Sequence, residues 1–108
     1  MNNELLEKKN QKIIILNNDI DQAKILHDQL SITIESNIKN IIQQMDSENL
    51  NAIEHSILLE QLDLVKSLEK KEEVIYSEYN SELRQQKNKL EEEIENLEKE
   101  EREEKNYA

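Results

Sequence analysis

Aliphatic side chains return every three or four positions along the first part of the chain, the spacing of one face of an α-helix. With heptad position a set at Leu6, the a residues are Leu6, Ile13, Ile20, His27, Ile34 and Ile41, and the d residues are Lys9, Leu16, Ala23, Leu30, Asn37 and Gln44. This seam is apolar from Ile13 to Ile34 and weakens at both ends. One stretch conflicts with it: "SITIES", Ser31 to Ser36, alternates polar and apolar as a half-buried strand does. A sheet domain needs several tight turns, and Gly and Pro, which supply most of them, are absent from all 108 residues. The stretch is therefore read as helix, with Ile34 inward and Ile32 on another face.

The second half frames the same way, with a at Leu62, Glu69, Tyr76, Leu83, Leu90 and Leu97 and d including Leu58, Val65 and Tyr79. Between the halves lies "QQMDSENLN", the one cluster of helix breakers flanked by long periodic segments. Asp46, Ser47, Asn49 and Asn51 all suit an N-cap, and Asn51 with Glu54 imitates a capping box. The fold class predicted is all-α: an antiparallel helical hairpin, in effect a coiled coil, as one domain over residues 1–108. Helix one covers about 3–45, the turn about 46–50 and helix two about 51–104. Folding there pairs Ile34 with Leu62, Ile20 with Tyr76, Ile13 with Leu83 and Leu6 with Leu90. It also sets His27 level with Leu68 and Ala23 level with Glu72. Two heptad frames define such pairs only to within a multiple of seven. At a rise of about 1.5 Å per residue the helices span roughly 60 and 80 Å, so an acidic C-terminal helix overhangs the first.

Composition narrows the work such a rod can do. Charged residues are 36% and hydrophobic residues 35%, too little apolar mass for a broad globular core but enough for a narrow seam. The net charge of −11 disfavours nucleic acid, whose recognition rests on a basic patch. Much of it sits in "EEEIENLEKEEREE", Glu91 to Glu104, with nine Glu against Lys99 and Arg102. That tail is either a solvated helix end or a contact for a basic partner. No apolar run suits a signal peptide or a membrane span, so a cytoplasmic chain without membrane insertion is expected.

Candidate chemistry is sparse. His27 and His55 have no His or Cys at ligand spacing, and the chain has no Cys, so no metal or cofactor is expected. Carboxylates abound, but a two-helix rod offers no cleft to tune them, and no nucleophile motif or Gly-rich phosphate loop occurs. No catalytic residue is assigned, and the chain is read as a non-enzyme.

The surplus apolar residues carry more information. Ile14, Ile15, Ile25, Leu26, Ile32, Ile38 and Ile42 lie off the first seam, where a strict two-helix coil has no use for them. The partner-binding residues proposed from sequence are Ile14, Ile25, Ile32, Ile38, Ile42, Leu59 and Leu64. They imply a protein partner or self-association through apolar helix faces.

A polar turn, then Leu50 and Ile53, then the dense aliphatic run of "SENLNAIEHSILLEQLDLVKSLEKKEE", Ser47 to Glu73, resembles the FlgN-like helical-hairpin export chaperones of bacterial flagella. The resemblance covers about half the chain and includes no diagnostic motif. It implies a small acidic α-helical protein that holds secretion substrates and hands them to an export machinery. Three functions follow: a coiled-coil interaction module or adaptor, an export or assembly chaperone holding a partner's amphipathic helix, or a spacer formed by a parallel dimer of unbroken helices. The spacer needs helix through "QQMDSENLN", and the hairpin needs it broken there.

Overall fold

A computed structural model describes the backbone of residues 2–107 and the side chains of residues 3–105. It contains two helices, α1 (Asn2–Met45) and α2 (Ala52–Tyr107), folded back as an antiparallel hairpin, with no strand among the described residues. The helix is broken at "DSENLN", as the hairpin requires and the unbroken spacer does not allow.

The turn is built as its residues dictate. The Asp46 amide donates to the Ile42 carbonyl at 3.1 Å and the Ser47 amide to Gln44 at 3.2 Å, closing the last turn of α1. Asn51 is the N-cap of α2: its Oδ1 accepts from the Glu54 amide at 2.8 Å, satisfying one of the free donors that open a helix. Its Nδ2 also donates to Glu54 Oε1 at 2.8 Å, a side-chain variant of the capping box. Glu54 adds an anion at the positive end of the helix.

Packing falls into two units, each described on its own. In Lys24–Ser77, Ile41, Leu58 and Leu62 form the buried cluster, with Ile38, Met45, Leu50 and Val65 packed against it. In the unit made of Met1–Ala23 and Glu78–Ala108, the cluster is Leu16, Ile20 and Leu83, with Leu90 against it. None of these side chains is fully enclosed, because two helices leave both flanks of their seam open to water.

The pairing corrects the register drawn from sequence. Ile20 packs with Leu83 rather than with Tyr76, and His27 meets Glu72 and Tyr76 rather than Leu68. Glu72 accordingly faces His27 and not Ala23. Helix direction is the cause. In an antiparallel pair, steps of three and four residues run in opposite order along the two chains. Registers stay matched only when a of one helix lies opposite d of the other. The sequence pairing set a against a. The structure sets d Leu16 with a Leu83, a His27 with d Glu72, and a Ile41 with d Leu58.

The seam also drifts. Beyond His27 the inward residues of α1 are Ser31, Ile34, Ile38, Ile41 and Met45, while Leu30 is 43% exposed. Beyond Tyr76 the half-buried position of α2 passes from Tyr79 to Asn80. A straight helix advances past a 3.5-residue repeat by about 20° per heptad, so after several heptads the inward place moves to the next residue.

Candidate functional site

The largest unspent feature of the molecule is aliphatic surface. Within Lys24–Ser77 alone, twelve large apolar side chains are exposed, from Leu59 at 41% to Ile53 at 73%. Single exposed aliphatics are ordinary, but aligned ones at helical spacing form a face.

The seven residues proposed from sequence do not form one face. Ile38 points into the seam against the Ile41 cluster, because the drift carries the inward position onto it. Ile25 and Ile32 lie one heptad apart on the back of α1, 50% and 67% exposed. Ile14, 67% exposed, belongs to the other unit. Ile42 and Leu59 are exposed at 43% and 41%, and by their spacing from the seam residues they sit on the opposite flank from Leu64. Only Leu64 falls on the most continuous apolar stripe.

That stripe is Ile57, Leu64, Leu68 and Ile75 on α2, all half-exposed or more, with Gln61 in line. Helical periodicity stacks them on one side of the helix. A shallow groove of about 360 Å³ joins this side to α1, lined by Asn37, Asn40, Gln44, Gln61 and Leu64 over a floor of Ile41 and Val65. Leu26 and Leu30 continue the α1 wall at heptad spacing from Asn40 and Asn37. The resulting face is aliphatic at one end and amide-rich at the other. No Asp, Glu, Lys or Arg stands on its α1 wall, since Asp28, Glu35 and Lys39 all project elsewhere. In a chain with 36% charged residues, that vacancy singles the face out.

The polar layer of the same unit holds the hairpin in register. His27 Nδ1 and Glu72 Oε1 are 2.7 Å apart with both side chains mostly covered, and the imidazole stacks on the Tyr76 ring at 4.0 Å and 5°. Each of these groups is costly to bury alone, so the layer is satisfied only when the helices are paired at this level. In the other unit Lys9 reaches Glu93 at 2.5 Å. The hydrogen bond from Lys9, with its charge, holds the Glu93 carboxyl below the usual carboxylate range.

This pair corrects the overhang. Because Lys9 sits level with Glu93, and Ile94 and Leu97 are half-buried, the stretch from Glu91 to Leu97 is still packed on α1. The acidic end is continuously exposed only after Glu101, which is itself half-buried.

Among the described residues there is no group of three His, Cys, Asp or Glu placed to hold a metal ion, and no helix is long and apolar enough to cross a membrane. Comparison with protein-family models, with curated proteins and with solved structures returns no match.

Proposed function

We propose that the protein is a helical-hairpin interaction module that docks another polypeptide on the flank of residues 24–77 formed by Leu26, Leu30, Ile57, Leu64, Leu68 and Ile75. The observation that supports this reading is the uncharged, apolar lane on an otherwise strongly charged rod. Burying one such Leu or Ile fully is worth roughly 1.5–3 kcal/mol, so leaving five of the six half or more exposed, and Leu30 at 43%, forgoes much of what stabilises a small fold. A covered face recovers that energy. Adaptor and assembly chaperone are both versions of this reading, and the resemblance to FlgN-like chaperones favours an amphipathic helix as the occupant.

Photo-crosslinking in the producing cells tests it. A crosslinker replacing Leu64 or Leu68 should yield defined adducts with a polypeptide. The same group replacing Glu35, on the opposite flank in line with Ile42, should yield none. Equal labelling from both sides, or none from either, would sink the proposal.

A further inference from the structure

The apolar stripe of α2 reads the same in both directions. From Ile57 the steps to Leu64, Leu68 and Ile75 are seven, four and seven residues. A two-fold axis between Leu64 and Leu68 therefore brings Leu64 onto Leu68 of an antiparallel copy, and Ile57 onto Ile75. The charges at the margin obey the same reversal with opposite sign. Glu60 lies four residues before Leu64 and Lys71 three after Leu68, both exposed and neither in an ion pair among the described residues. The one-residue mismatch is about 1.5 Å of helix rise, well within the reach of these side chains. On the same chain they are eleven residues apart, about 16 Å along the helix, too far to pair with each other.

We propose that this face docks on a second copy of itself, antiparallel, with Glu60 of each copy against Lys71 of the other. This rests on reading the flank as an interaction surface and names its occupant. A chain of net charge −11 repels its own kind unless the contact excludes charge or pairs it. Here the α1 wall excludes it and the α2 margin pairs it. The two-fold also lays α1 on α1, crossing near Thr33, so that Leu26 and Leu30 of each copy come against Asn40 and Asn37 of the other. The product is a four-helix arrangement over residues 24–77. Two helices each about 10 Å wide over the 27 Å or so from Ile57 to Ile75 give a footprint on the order of 500 Å² per copy. Tight complexes use about 800 Å², so the dimer is reversible, with a dissociation constant in the micromolar range.

Sedimentation equilibrium of the full chain, from about 1 to 500 µM, tests the proposal around that range. Wild type should pass from monomer to dimer. Glu60→Lys and Lys71→Glu alone should each raise Kd about tenfold or more, since each turns two attractive pairs into repulsive ones. The doubly exchanged chain should return to the wild-type value. Circular dichroism should show all three variants as helical as wild type, because both positions are on the surface. A wild type that stays monomeric overturns the self-docking, as does a double exchange no better than the single ones. Photo-crosslinks from Leu64 to a different polypeptide, with the chain monomeric, would overturn the second copy and leave the interaction surface standing. Their absence in both tests would remove both.

Discussion

Leu58 and Leu64 sit six residues apart on α2 and differ almost entirely in burial, which makes truncating each of them a sharp comparison. Leu58 is 8% exposed in the cluster with Ile41 and Leu62, whereas Leu64 is 63% exposed on the apolar flank. Leu→Ala removes three carbons, each worth about 0.8 kcal/mol when fully buried. For Leu58 nearly all of that is lost, so Leu58→Ala should cost about 2 kcal/mol. The extra cavity penalty stays small because a two-helix seam lies open to water and can relax. For Leu64 just over a third is lost, and Ala returns a little as the better helix former, giving less than about 1 kcal/mol. Urea unfolding followed by circular dichroism at about 1 µM, below the proposed dimer range, reads both values as midpoint shifts at constant slope. Equal costs at the two positions would refute the burial assignment. A larger cost at Leu64 would mean the seam runs along the other face. Repeating the series at several hundred micromolar adds a second reading, because docking should raise the cost of Leu64→Ala and leave Leu58→Ala unchanged.

Three further outcomes follow from particular contacts. Asn51→Ala removes the acceptor of the Glu54 amide and should cost about 1 kcal/mol in urea melts, whereas Asn49→Ala, which caps nothing, should be nearly silent. His27→Ala and Glu72→Ala should be non-additive, with a coupling of roughly 0.5–3 kcal/mol in a double-mutant cycle; additive effects would mean that the 2.7 Å contact does not persist in solution. Glu93→Gln should lower the melting temperature at neutral pH relative to wild type. The Glu93 pKa is depressed by Lys9, so the ionised form is the one that stabilises. Its contribution is present above the ordinary carboxylate range and lost as pH falls through the depressed value. The two melting curves should therefore converge in acid, and a difference that grows on acidification would contradict the assignment.

The helices and the turn were legible in the chain because composition leaves few alternatives. With no Gly or Pro, only a run such as "DSENLN" breaks a helix, and Asn51 with Glu54 marks the restart as the structure shows it. The register was half legible. Heptads identify the seam residues, but pairing a with a ignores that reversal exchanges the three- and four-residue steps. His27 opposite Glu72 held the clue, as the one place where a histidine at a meets an acid at d. The apolar flank of α2 was the least legible feature. Picking isoleucines off the first seam mixed three faces and included Ile38, because the inward position moves by one residue after His27. The stripe of Ile57, Leu64, Leu68 and Ile75 becomes distinct only once Leu58, Leu62 and Val65 are known to be spent on the seam. Counting charges down each helix side, rather than apolar residues alone, would have found it.

Thiol labelling tests the central claim, that the flank carrying Leu64 is a covered surface in use, most directly. The chain has no Cys, so Leu64→Cys and Ile32→Cys each provide a single reporter, the first on the flank and the second on the back of α1. In dilute solution both should react at the rate of an exposed thiol. As protein concentration rises through the micromolar range, or on adding extract of the producing cells, labelling at position 64 should slow several-fold while position 32 keeps its rate. Labelling at position 64 that stays fast under every condition would mean that nothing covers this face.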